Sequence, residues 1–494
     1  MRWRRPPNAL GAWTVGRSIH TPARGAHAGS GYNPRMNLRR KLAWITVLYF
    51  AEGFPFGVAY DVWPVYFRQH GVSLVEIGLM SLLFLPYTLK PAWAPLVDRL
   101  GSRQNWIATA ELALAVLTAV ITLLDPSHVG WHLWIVLLAF TVTSSTQDIA
   151  IDAFAVDVST PRDSGAINGV RVSAYRVALV ASGGLILVLA DRIGWRGSWL
   201  LTSAIFALMA VLSFLSPRVP RERPQRSSEP VGPRVTRIRI VAVAAAFGLG
   251  LIAWGSGWSS VWLTLAVITA ALAVGTFLDA SLLSWVFRRE MALVVVFILL
   301  YKVGDSTLGH MVKPFWVDNG LSATEIGIIS STLGMLVTIV GALAGGWFTT
   351  RFGIFRGLLW CGIAQAISNF GYVAVAALPL GHNVLFQLPW LGVVTPLRGA
   401  LYSASIFESF AQGLGTAAFL AFLMNLCDRQ HAATQFALLS AVFALSRDVA
   451  GAFSGLGVQE LGYATFFAFT AVLGLPALLM LPWLRDKIRE EAPA

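Results

Sequence analysis

Apolar residues run along this chain in long blocks separated by short polar turns. In the first part they fall at about 42–67, 75–97, 106–124, 131–157, 164–190 and 197–216. A helix needs about 20 apolar residues to cross roughly 30 Å of hydrocarbon, and the blocks have that order of length. The stretch "SPRVPRERPQRSSEPVGPRVTRIR" then interrupts the series. It is polar, proline-rich and basic, and reads as a linker. Further blocks follow at 240–254, 258–280, 291–316, 325–349, 357–379, 403–427, 433–456 and 462–483, which makes about fourteen predicted helices. The pair at 240–280 is the odd one: its first block is short, and "WGSGW" between them joins turn glycines to interfacial tryptophans. A spanning hairpin and a re-entrant or interfacial pair both fit.

Composition agrees. The chain is 56% hydrophobic and 13% charged, where soluble domains carry about a quarter charged. Its mean hydropathy is +0.65. The expected class is an all-α polytopic membrane protein. A net charge of +12 would suggest nucleic acid in a soluble protein. Here the positive-inside rule accounts for it, and no nucleic-acid partner is expected. Arg and Lys cluster in the N-terminal tail, around Arg99 and Arg103, at Arg162, through the linker, at Arg288 and Arg289, and at Arg351 and Arg356. The opposite loops hold only Arg68, Arg192, Arg196 and Arg398. Both termini are therefore expected in the cytoplasm.

The first 41 residues hold nine Arg/Lys and no acid. A disordered cytoplasmic tail, an overextended start with Met36 as the true beginning, and a transit peptide all fit; the first two together are favoured. The expected organisation is a tail at 1–41, a six-helix bundle at 42–216, a linker at 217–239, an inserted hairpin at 240–283, a second six-helix bundle at 284–484 and a tail at 485–494.

An internal repeat supports two related halves. "HGVSLVEIG" at 70–78 recurs as "NGLSATEIG" at 319–327. "DRLGSR" at 98–103 is echoed by "TRFGIFR" at 350–356, and "IGW" at 193–195 by "LGY" at 461–463. The two halves run in the same sense.

Charges inside the apolar blocks are the candidate chemistry, because an aspartate at the bilayer centre costs about 2.5–3.5 kcal/mol on insertion scales. Asp148 and Asp152 are four apart and share a helix face with Gln147 beside it, while Asp157 turns away. Arg171 in the fifth block stands at their level, with Tyr175 and Arg176 deeper. An Asp–Arg pair is available, as a structural lock or as a proton site whose affinity follows hydration. Lys302 and Asp305 sit at i, i+3 in the second half, with Glu52 at a loosely equivalent place in the first. Glu408 and Gln412 share a face, and Arg447 stands where Arg176 stands. Together these predict a ring of charge around a central cavity, with Gln147, Tyr175, Glu408, Gln412 and Arg447 facing the solute. Gly53 and Pro55 in "EGFPFG" are expected to break the first helix, for bending or for ligand approach.

"PLVDRLGSR" resembles the loop signature of the major facilitator superfamily, as does the pattern of two halves. The resemblance implies that this basic turn latches against the other half. Asp98 would meet a helix N-terminus or an arginine, Arg99 and Arg103 would meet acids or lipid phosphates, and Arg351 would act in the second copy, where Thr350 replaces the aspartate. Basic residues that merely hold the loop in the cytoplasm are the alternative. The set "LKPAWAPLVDR", "QDIAIDAFAVDV", "YRVALVASGG", "LLYKVGDS", "TLGMLVTIVGALAGG", "FESFAQGLGTAAFLAFLMNLCD" and "ATQFALLSA", in this order, is similar to the AmpG-type muropeptide permeases. Glu52, Asp61 and Arg171 add charges to that pattern. The resemblance implies a monomeric, proton-driven importer of anhydro-muropeptides, the sugar–peptide fragments of cell-wall turnover, with no cofactor.

Other classes have weak signals. None of the five lysines precedes Ser or Thr, so there is no P-loop. The eight histidines form no metal-ligand spacing, and Cys361 and Cys427 fall in predicted helices without one. The expectation is a carrier rather than an enzyme. A carrier of an acyl-CoA-like anion or a drug, and a sensor that has lost flux, are the alternatives.

Overall fold

The computed structural model describes residues 36–217 and 289–488, except 91–92, 128, 160–162, 428–431, 486–487 and parts of 380–391. The expected tail before residue 36, the linker after residue 217 and the inserted hairpin at 240–283 lie outside the described residues.

Among the described residues nine helices are long and apolar enough to cross a membrane. Two of them, Gly165–Phe214 and Leu438–Leu484, each contain a glycine whose positive φ turns the chain, Gly194 and Gly462. The shorter apolar Leu74–Leu89 supplies another pass. The described chain thus crosses twelve times, in two bundles of six on either side of the undescribed stretch.

The repeat seen in sequence is a repeat of local chemistry. Ser73 and Glu76 close a capping box at the start of the second pass, and Ser322 and Glu325 close the same box at the start of the eighth. In each, the serine oxygen accepts from the third backbone N–H and the glutamate returns the bond, satisfying two otherwise orphaned donors. Gly194 and Gly462 share nearly one conformation, φ/ψ 76°/164° and 73°/162°. Only glycine adopts it without strain.

Boundaries moved where proline and caps decide them. The tenth pass begins at Pro396 rather than near 403, because Thr395 accepts from Arg398 N and proline suits the first helical position. The second pass is not one helix. It runs as Leu74–Leu79, a 3₁₀ stretch Met80–Phe84, Leu85–Leu89 and Ala94–Arg99. Pro86 and Pro95 each stand in the first turn of a new helix, a position proline suits because its missing N–H would have no helix partner there. The described chain is nearly all helical, as expected. A small antiparallel hairpin, Phe386–Leu388 with Gly392–Val394, forms in the loop before the tenth pass. Its valines and aromatic residue favour pairing once outside the spans.

The two bundles meet at one end only. The largest buried cluster mixes both halves, with Trp63, Tyr66 and Phe67 beside Met311, Phe315 and Trp316. This is the end holding Gln69, Gly194, Asp318 and Gly462. Toward the basic end the core splits in two. Ile45, Leu48, Ile151 and Phe154 belong to a cluster of the first half. Val294, Phe297, Phe419 and Phe422 belong to one of the second. Small residues allow the close contact: a Cβ on Gly78 would meet Gly455 N at 2.8 Å, and one on Gly327 would meet Gly184 O at 2.7 Å. Such backbone approach is how helices pack where lipid offers no hydrophobic drive. The molecule is closed at one face and parted at its basic face.

Candidate functional site

The first, second, fourth and fifth passes bring five charged side chains together in the middle of the first bundle. Lys90 Nζ lies 2.6 Å from Asp148 Oδ2 and 3.7 Å from Asp152 Oδ2. Arg171 Nη2 lies 2.5 Å from Asp152 Oδ1. Tyr49 donates to the same Oδ1 at 2.8 Å, and its ring lies under the Arg171 guanidinium at 4.7 Å. Glu52 completes the group. Its carboxyl stands beside that of Asp148, and its oxygen Oε2 is buried without a partner. The acidic oxygens of Glu52, Asp148 and Asp152 lie within 4.8 Å of one another.

That spacing would suit a cation, but the Lys90 ammonium already stands between Asp148 and Asp152. Three carboxyls face two bases, so one negative charge is uncompensated. One proton held among the three carboxyls would balance the group, and the carboxyl carrying it could donate to its neighbour where a carboxylate only accepts.

Gln147 has a different place from the one expected. It is fully buried and donates to Ala51 O at 3.2 Å and to Glu111 Oε1 at 3.1 Å. Pro55 has no N–H, so the carbonyl four residues back, that of Ala51, has lost its helix partner. The Gln147 amide supplies it. For the same reason Gly53 and Pro55 do not break the helix, which runs on through Gly57. Gly53 serves packing: a Cβ there would meet Tyr175 O at 2.8 Å. Gln147→Leu should therefore lower stability by about 1–3 kcal/mol, the cost of buried polar groups left unpaired. The thermal midpoint should fall while the KM for solute stays unchanged; a raised KM at unchanged midpoint would place Gln147 in the path after all.

The second bundle carries its own cluster. Lys302 Nζ lies 2.8 Å from Asp305 Oδ2, which also accepts from Gln365 at 3.2 Å. Glu408 is buried within electrostatic reach of both. Gln412 is half-buried on the same helix. Arg447 pairs with its neighbour Asp448 at 3.0 Å and keeps a quarter of its side chain accessible. Arg176, expected in an ion pair, has no acidic partner among the described residues. Its Nη1 lies 3.0 Å from Met335 Sδ of the other half.

Of the loop residues, Arg103 pairs with Asp157 of its own half at 3.4 Å and Arg351 is exposed, while the side chains of Asp98 and Arg99 lie outside the described residues. Cross-half pairs stand at the opposite end. Arg68 reaches Asp318 at 2.5 Å, and Asp191 accepts from Thr324 N at 2.6 Å; within the second half Tyr463 donates to the same Asp318 at 2.7 Å. Deeper, Lys313 pairs with Asp61, both buried.

Sequence reading missed Lys90, Glu111, and the Asp61–Lys313 and Arg68–Asp318 pairs. Lys90 was findable, being one of only five lysines and lying inside an apolar run. The cross-half pairs were not, because nothing local couples positions some 250 residues apart.

The Major Facilitator Superfamily model matches residues 45–288. The anhydromuropeptide permease of Escherichia coli K12 is 32% identical over 452 residues, covering 89% of this chain and 78% of that protein. A protein described as putative transporter AmpG 4, from Rickettsia conorii, is 28% identical and covers 91% of this chain and 97% of its own. Among solved structures, a POT family transporter in complex with 5-aminolevulinic acid has a TM-score of 0.69 at 14% identity, covering 91% of this chain and 97% of its own. A bacterial homologue of the lysosomal transporter Spinster, inward-facing and unoccupied, has a TM-score of 0.61 at 15% identity, covering 92% and 99%. At those identities the structures speak for the fold alone. Two six-pass bundles meeting at one face, a half-buried cluster of opposite charges between passes, and the extended likeness to the permeases agree: this chain is a multi-pass secondary transporter of the AmpG permease family within the major facilitator superfamily, and not an enzyme.

Proposed function

We propose that the protein imports anhydro-muropeptides together with protons by alternating access. In this reading the basic face is cytoplasmic, both termini lie there, and the arrangement described is inward-open. The membrane is the bacterial inner membrane and the working unit is one chain. The observation that carries the coupling is the Glu52–Asp148 carboxyl pair, which with Asp152 places three acids within 4.8 Å of one another beside only two bases, so that a proton on the pair balances the charge. When the halves rock, the pair faces one aqueous side and then the other, and the proton enters and leaves with the change in hydration.

The solute side of the reading rests on Arg176, which has no acidic partner among the described residues, and on Arg447, which keeps a quarter of its side chain accessible beside Asp448. A guanidinium without an acid inside a membrane protein is expensive, and Arg176 suits a ligand that brings carboxylates, as the peptide stem of a muropeptide does. Tyr175, Glu408 and Gln412 complete the lining in this proposal. The likeness to the anhydromuropeptide permease supplies the solute class. A strain lacking the gene should shed muropeptides to the medium during growth, and the gene restored should stop the loss. A strain that sheds none has another importer or this protein another solute; uptake by vesicles carrying only this protein decides between them.

A further inference from the structure

Resting on that reading, we propose that Phe56, Tyr60, Phe84, Tyr87 and Tyr175 form a wall on which a pyranose ring of the solute stacks. Each ring stands one or two helical turns from a charged residue of the cluster, on the same helix face. On the first pass Glu52, Phe56 and Tyr60 follow at i, i+4 and i+8. On the second, Lys90, Tyr87 and Phe84 step back by threes. On the fifth, Arg171 is followed four residues on by Tyr175. The faces that gather the charges therefore also gather the rings, one layer nearer the closed end.

The rings touch. Phe56 lies 5.9 Å from Tyr60, 5.3 Å from Phe84, 5.3 Å from Tyr87 and 6.4 Å from Tyr175, between ring centres. Tyr60 meets His310 of the other half at 6.2 Å. Lys313 Nζ stands 5.2 Å over the Tyr60 ring. From the other bundle Arg447 comes within electrostatic reach of the Tyr60 and Tyr175 hydroxyls.

A wall built only for packing would be buried, as are Phe54 of the first pass and the Phe206 and Phe140 rings that follow it in the core. Phe84 is buried as their backing, while Phe56, Tyr60, Tyr87 and Tyr175 each keep part of their surface open. An aromatic face with hydroxyls at its rim matches a pyranose, whose axial C–H groups meet the π cloud while its equatorial hydroxyls meet polar edges. The cations beyond the rim would then take the carboxylates of the same molecule.

The test is uptake of a disaccharide–tripeptide anhydro-muropeptide by proteoliposomes of the full chain under an imposed pH gradient. Phe56→Leu keeps apolar volume and loses the π face. Its KM should rise about tenfold, the worth of one lost ring contact, while the accumulation ratio at saturating solute stays at the wild-type value. Phe56→Trp should recover most of the loss. If Phe56→Leu fails to fold, the same comparison at Tyr175→Leu replaces it. A wild-type KM in the leucine variant overturns the wall and leaves the transport reading standing, as does a loss of accumulation ratio at unchanged KM. A wild-type protein that accumulates no muropeptide removes the transport reading and the wall with it.

Discussion

Asp148→Asn should abolish uphill accumulation while leaving downhill exchange measurable. Asparagine keeps the volume and can still bond Glu52, but the pair can no longer share and release a proton. The substitution also leaves the Lys90 ammonium with Asp152 alone, at 3.7 Å. The expected size follows from the driving force. One proton moved down one pH unit supplies about 1.4 kcal/mol, enough to hold a tenfold gradient of solute. The wild type should approach that ratio and the variant should stay at about unity, with counterflow of labelled solute retained. Accumulation in the variant equal to wild type would take the proton away from this carboxyl pair.

The second large effect concerns the closed face. Lys313→Met should release it. Asp61 and Lys313 are buried and come from opposite halves, so the pair exists only while the halves are together there. Removing one partner of a buried ion pair costs about 3–5 kcal/mol, because the other charge is left unpaired. Here that cost falls on one conformation. A shift of that size moves a two-state equilibrium more than about a hundredfold toward the state with this face open. A cysteine at Val62, with Cys361 and Cys427 replaced, should gain reactivity toward an impermeant thiol reagent applied from that side. Asp61→Asn combined with Lys313→Met should reverse most of the gain. Unchanged reactivity in the single variant would mean that the hydrophobic contacts of Trp63, Phe315 and Trp316 hold the face shut without the pair.

Much of the fold was legible because membrane helices announce themselves by length and composition. The repeat was legible because "HGVSLVEIG" and "NGLSATEIG" encode one device, a positive-φ glycine followed by a capping box. Helix interruptions were less so. Proline marks a lost hydrogen bond, but whether the helix breaks depends on what replaces it. At Pro55 the replacement is Gln147, 92 residues away in sequence and unreadable from local pattern. The pair Asp152–Arg171 could be expected from depth counting, since both helices hang from one turn. Lys90 could not be placed the same way, because the second pass is broken and its register is lost. Arg176 looked like a partner for an acid and is not one. Burial and charge say that a residue matters, and only the packing says to what it is joined.

The central claim is that charges hidden between these helices line a route for solute and proton together. Proteoliposomes carrying the purified full chain, acid outside and loaded with neutral buffer, should concentrate a labelled anhydro-muropeptide and alkalinise the outer medium in step with it. Uptake that ignores the pH gradient, or proton movement unlinked to solute, would contradict it.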